Sequence, residues 1–147
     1  WFFELGLLYS NTNNYKKAVI AYNKAAELGF IKGNDFNENL GFAYIYSSDF
    51  DNGARLLDDL ISRRPGDKEL IRDVATAFYD SKNYDKSLDY CQKLLEMDMK
   101  DGKALYQAGL CFQKKGMTEK GMQMCDKAIE MDPSLASLRS KKSLPGM

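Results

Sequence analysis

Leu5-Gly6-Leu7-Leu8-Tyr9 returns as Leu40-Gly41-Phe42-Ala43-Tyr44, as Val74-Ala75-Thr76-Ala77-Phe78 and as Ala108-Gly109-Leu110-Cys111-Phe112. The interval is about 34 residues each time, the length of one helical hairpin in repeat proteins. A second column keeps the same step: Tyr15, Phe50, Tyr84 and Thr118 each follow a polar turn and precede an apolar stretch. Those turns are Asn11-Thr12-Asn13-Asn14, Ser47-Ser48-Asp49, Asp80-Ser81-Lys82-Asn83 and Lys115-Gly116-Met117. Pro65 and Pro133 lie two repeat lengths apart, where a helix must stop because proline has no N–H to donate.

Within each repeat two stretches carry apolar side chains at helical spacing, as in Phe2, Leu5, Leu8, Tyr9 and then Ala18, Ala21, Tyr22, Ala25. Each repeat is therefore read as a hairpin of two helices. The predicted helices are 1–12, 15–28, 34–47, 51–63, 68–80, 84–98, 102–115 and 118–131. Asp67 and Asp101 stand where a carboxylate can accept the unpaired N–H groups of a helix start. Gly6, Gly41, Ala75 and Gly109 form one small-residue column, and Ala18, Gly53, Ser87 and Gly121 another. Such sites let two helices cross closely. Tyr22, Leu57, Cys91 and Cys125 form a bulky column beside them, which places two of the thiols in the core.

These columns resemble the tetratricopeptide repeat family, whose hairpins carry a bulky residue, Leu-Gly and an aromatic in the first helix, then Ala, an aromatic, Ala and Pro in the second. Phe2, Leu5, Gly6, Tyr9, Ala18, Tyr22 and Ala25 carry the likeness in the first repeat, and Leu105, Gly109, Phe112, Ala128 and Pro133 in the fourth. Asn37, Leu60, Leu94, Phe30 and Met99 depart from it. The resemblance implies an all-α, right-handed superhelical solenoid of about four repeats, near 1–32, 33–67, 68–101 and 102–135, forming a single domain over 1–147. Residues 134–147 become the C-terminal cap and tail, with a short capping helix over 134–142. Trp1 starts the first repeat about two residues late, as expected of a piece of a longer protein.

The resemblance also implies a concave face lined by the first helix of each repeat. Position by position this face presents Phe3, Leu7, Ser10 and Asn11; Glu38, Phe42, Ile45 and Tyr46; Arg72, Thr76, Tyr79 and Asp80; and Tyr106, Leu110, Gln113 and Lys114. An aromatic and aliphatic strip of this kind is expected to hold a peptide or helix of a partner protein, with Glu38, Arg72, Asp80 and Lys114 setting its register. A clamp for the carboxyl-terminal peptides of heat-shock chaperones does not fit: Phe3, Leu7, Phe42, Arg72 and Thr76 occupy its positions, and only Arg72 matches. Two other readings stay open, self-association through the truncated first repeat, with Trp1 and Phe2 packing on a second copy, and a regulatory segment attached to an enzyme.

Composition narrows the chemistry. Of 147 residues, 44% are apolar and 29% charged, which suits a folded chain. Twenty-one basic residues balance 21 acidic ones, leaving no net field to attract nucleic acid or an anionic membrane. The short basic tail Arg139, Lys141, Lys142 is expected to be solvated. No histidine is present, which removes the commonest general base and metal ligand. Cys91, Cys111 and Cys125 lack the spacing of a zinc site. Acid pairs such as Asp58-Asp59 and Asp49-x-Asp51 read as solvated surface, and no phosphate-cradling glycine motif occurs. The expectation is a non-catalytic chain without cofactor or metal. No apolar run is long enough to span a bilayer, so membrane insertion is not expected. Free thiols suit a reducing cytoplasm, whereas a signal ahead of Trp1 would direct the chain to the periplasm. Met97, Met99, Met117, Met122, Met124 and Met131 crowd into the last third, as gap-fillers between helices or as an adaptable surface.

Overall fold

The computed structural model describes residues 1–30 and 33–143. Helices span α1 Phe2–Asn11, α2 Tyr15–Glu27, α3 Asn34–Tyr46, α4 Phe50–Arg63, α5 Lys68–Asp80, α6 Tyr84–Met97, α7 Gly102–Lys114 and α8 Thr118–Met131. A 3₁₀ turn Pro133–Leu135 and the helix α9 Ala136–Ser143 follow. No strand occurs among the described residues. The predicted ranges overrun most frequently at the carboxyl end, where Leu28, Ser47, Asp98 and Lys115 are caps rather than helix. Residues 31–32, at the expected first repeat boundary, and 144–147, in the expected tail, lie outside the described residues.

One turn chemistry closes every hairpin. The N–H groups of Asn14, Asp49, Asn83 and Met117 donate to the carbonyls of Tyr9, Tyr44, Phe78 and Phe112, at 2.8, 2.8, 2.8 and 2.9 Å. One residue earlier, Asn13, Ser48, Lys82 and Gly116 donate to Ser10, Ile45, Tyr79 and Gln113. This double bond pattern satisfies the orphan carbonyls of a helix end and needs a left-handed residue inside it. Asn13, Ser48, Lys82 and Gly116 take that role, with φ of 62°, 68°, 64° and 91°. The second helix then starts at Tyr15, Phe50, Tyr84 or Thr118, the aromatic-rich column of the sequence.

The chain divides into two compact units, residues 1–67 and the stretch beginning at Lys68. In the first unit α1 packs on α2, α2 on α3 and α3 on α4. Its core joins Ala18, Tyr22 and Ala25 of α2 to Phe36, Leu40 and Ala43 of α3, with the Tyr22 and Phe36 rings edge-on at 5.9 Å. Gly41 is required where it stands, because a Cβ there would sit 2.7 Å from Leu57 Cγ.

In the second unit α5 packs on α6, α6 on α7 and α7 on α8. Phe78 and Tyr90 stack at 5.5 Å across the first of these hairpins. The Ser87 hydroxyl donates to the Ala75 carbonyl at 2.8 Å, so this small-column residue both permits and fastens the crossing. The 3₁₀ turn buries Leu135 against Tyr106, Cys125 and Ala128, closing the apolar flank of the last hairpin. All three cysteines are free and buried. The methionines are not gap-fillers as a group: Met97, Met99, Met117 and Met122 are exposed.

A candidate partner-binding face on the second unit

Arg72 and Thr76 lie one turn apart on α5, and Tyr79 and Asp80 follow on the same side. Lys103, Tyr106, Gln107 and Leu110 share one side of α7 in the same way. Together with Ala75, Cys91, Leu94, Ala104, Leu135 and Leu138 they enclose a cavity of about 280 Å³. Side chains from α5 and α7 form its sides, and Leu135 and Leu138 bring the C-terminal cap into its wall.

The one arginine of this cavity is held in place. Arg72 Nη1 and Nη2 donate to Asp101 Oδ1 and Oδ2 at 3.1 and 3.0 Å, the two-pronged geometry a guanidinium gives a carboxylate. Asp101 is also the cap of α7, accepting the Ala104 N–H at 3.1 Å. Burial alone would raise the Asp101 carboxyl, but the Arg72 fork and the Ala104 N–H outweigh it and hold it below its ordinary value. Arg72 Nε is buried without a hydrogen-bond partner among the described residues, with Glu69 Oε1 at 3.7 Å.

The phenols are kept neutral. Burial, and then the neighbouring Tyr84, push Tyr79 up to about 12, and burial raises Tyr106 as well. Tyr79 meets Tyr84 edge-on at 5.5 Å, which fixes its ring. Burial also pushes the Cys91 thiol in the cavity wall up to about 12, so it is an apolar surface and not a nucleophile at neutral pH. The cavity is thus an apolar and aromatic recess with neutral hydroxyls, the immobilised Arg72 and, on its wall, Lys103 and Asp80.

The tetratricopeptide repeat family model matches residues 2–28 and 102–135. The chain carries tetratricopeptide repeats. Residues between the two matched stretches repeat the same hairpin closure and the same small-residue crossings. The crystal structure of YrrB, described as a TPR protein with an unusual peptide-binding site, superposes with a TM-score of 0.64 at 24% identity, covering 96% of this chain and 73% of YrrB. A crystal structure of MamA gives 0.63 at 16% identity, covering 92% of this chain and 79% of MamA. At such identities the likeness shows the fold alone: an all-α tetratricopeptide repeat solenoid. Over 103 residues, 69% of its length, the chain is 27% identical to Protein O-mannosyl-transferase TMTC1 of Homo sapiens, of which it spans 11%. Tetratricopeptide repeats mediate protein–protein interaction.

Of the tetratricopeptide face residues expected from sequence, Arg72, Thr76, Tyr79, Asp80, Tyr106 and Leu110 come together in the cavity. Gln113 and Lys114 do not line it. Gln113 turns instead to α8 and donates to Cys125 Sγ at 3.5 Å. Tyr106 is 5% exposed, so it is a wall of the recess rather than an accessible anchor. Ile45 must leave the set: it is wholly buried, with Gly53 seated against its Cγ1. In the first unit Phe3 is engaged with Phe30, at 4.8 Å, and Phe36; Tyr46 stacks on Tyr15 at 4.9 Å; and Glu38 pairs with Arg64 at 3.2 Å. Leu7 and Phe42 are half-buried and Asn11 is exposed. Glu38 and Arg72 are therefore already paired within the chain. The sequence reading missed Lys103, Gln107 and Leu138. The first two were detectable, since 103, 107 and 110 are spaced as one helical face, whereas Leu138 enters through the fold-back of the cap. No helix among the described residues is long and apolar enough to cross a membrane, and no group of potential metal ligands gathers among them.

Proposed function

We propose that the second unit binds an apolar segment of a partner protein, a helix or an extended peptide, between α5, α7 and the C-terminal cap, and that these residues do no chemistry themselves. The observation that carries this reading is the cavity itself. Its wall is aromatic and aliphatic, its volume suits one or two side chains, and its guanidinium is fixed before any partner arrives. A preformed recess of this kind loses little conformational entropy on binding, and Tyr79 and Leu110 offer contact area at low rotamer cost. Arg72, locked by Asp101, would act as a positioning donor at the edge rather than as a free charge for a terminal carboxylate. Burial of Cys91 and the absence of histidine support a binding rather than a catalytic role.

YrrB carries a peptide-binding site on the same fold, and we infer a related use of that fold here, with residues of this chain's own. The transferase name of the human relative suits the same reading, in which such a stretch holds a protein while chemistry is done elsewhere in a longer polypeptide. Thr76 is exposed at the mouth of the recess, so Thr76→Arg fills it without touching the core. Proteins captured from the source organism by the wild-type chain are expected to be lost with Thr76→Arg, at an unchanged melting temperature. Undiminished capture would remove this cavity from the account.

A further inference from the structure

The recess of the second unit carries a positive charge that the chain does not answer. The charged side chains of its wall are Arg72, Asp80 and Lys103. Near the starts of α5 and α7 the other charges are matched: Arg72 forks onto Asp101 with Glu69 at 3.7 Å, and Lys68 stands 4.0 Å from Asp98. Lys103 is exposed and makes no ion pair among the described residues. In the repeat register Asp35 and Glu69 hold this position in the second and third repeats, so the sign is reversed at the recess. Both α5 and α7 pack on α6 through short connections and run the same way. Lys103, in the first turn of α7, and Asp80, at the end of α5, therefore lie at opposite ends of the recess.

We propose that the partner segment carries an aspartate or glutamate side chain that pairs with Lys103, beside an apolar residue seated among Thr76, Tyr79 and Leu110. This rests on the recess being a partner-binding face and adds the chemistry of the segment it takes. From Lys103 to Leu110 the axis of α7 advances about 10 Å, the length of three extended residues or two helical turns. Arg72 does not compete for the carboxylate, because both of its terminal nitrogens are on Asp101 and its Nε is buried. Exposed at the rim, the Lys103 pair selects the segment and its direction more than it adds to affinity, and it turns a basic segment away from this end.

The test uses random dodecapeptides displayed with their carboxyl ends fused to a phage coat protein, which removes free terminal carboxylates. They are selected on the full chain as wild type, as Lys103→Glu and as Thr76→Arg. Lys103 is exposed, so Lys103→Glu should leave circular dichroism and melting temperature unchanged. Wild type is expected to enrich peptides with an aliphatic or aromatic residue and an acid, Thr76→Arg none of these, and Lys103→Glu peptides in which lysine or arginine replaces the acid. For one selected peptide, synthesised with an amidated end, Lys103→Glu should weaken binding at least about fivefold at low salt, and changing the peptide's acid to lysine should restore it. Apolar peptides without acidic preference, or a preference that survives Lys103→Glu, overturn the role of Lys103 and leave the recess as a binding face. A selection in which no apolar peptide depends on Thr76 overturns both.

Discussion

Arg72 on α5 and Asp101 at the start of α7 are joined by two hydrogen bonds of 3.1 and 3.0 Å, and the same carboxylate caps α7 through the Ala104 N–H. One ion pair thereby sets the edge of the cavity and the start of one of its sides. Removing one partner leaves a charge without its counterpart in a part-buried place. Arg72→Ala is expected to cost about 2 kcal/mol, under the 3–5 typical of fully buried pairs because Arg72 keeps some contact with water. Urea midpoints check this.

The sign with pH follows from the Asp101 carboxyl. Its folded value lies below the ordinary one, so its contribution is present above the unfolded value of about 3.9 and is lost as pH falls through the lower folded value. Asp101→Asn keeps a capping oxygen and loses the charge. Its stability deficit relative to wild type should be constant near neutrality and shrink once pH drops below about 4.

Lys82 and Ser48 hold left-handed backbone, at φ of 64° and 68°, in turns whose counterpart in the fourth hairpin is Gly116. A Cβ is strained there. Lys82→Gly is expected to stabilise the chain by about 0.5 kcal/mol, strain relief exceeding the added freedom of the unfolded chain. A lower thermal midpoint would contradict the account of the turn.

Gly109 and Gly121 meet where α7 crosses α8. A Cβ on Gly109 would lie 2.7 Å from both Cys125 Sγ and the Gly121 carbonyl oxygen. The second of these is backbone and cannot swing aside. Gly109→Ala should cost about 1–3 kcal/mol, whereas Gly33→Ala, with nothing near its Cβ, should cost far less. Because helix propensity alone favours alanine at position 109, a Gly109→Ala loss no larger than that at Gly33 would contradict close crossing as the reason for glycine there.

The helices were legible in the sequence because the columns that bury them recur in step. Tyr15, Phe50, Tyr84 and Thr118 mark every second-helix start, and Gly41 and Gly109 mark the crossings. Part of the recess was legible through the resemblance, since Arg72, Thr76, Tyr79 and Leu110 hold positions that the family geometry assigns to the concave face. The rest depends on where long side chains turn. Periodicity places Gln113 on the same side as Leu110, yet its amide is drawn to Cys125 Sγ, and Ile45 is drawn under Gly53. Leu138 could not be assigned to the cavity before the fold-back at Pro133–Leu135 was known.

The most direct test of the partner-binding face places a photo-cross-linking residue at Gln107, on the cavity wall, or at Gln123, exposed on α8. With the chain incubated in extract of its source organism, light should join a partner to position 107 and not to position 123, and Thr76→Arg should abolish the adduct. Adducts at Gln123 alone, or an adduct at Gln107 that survives Thr76→Arg, would contradict the account.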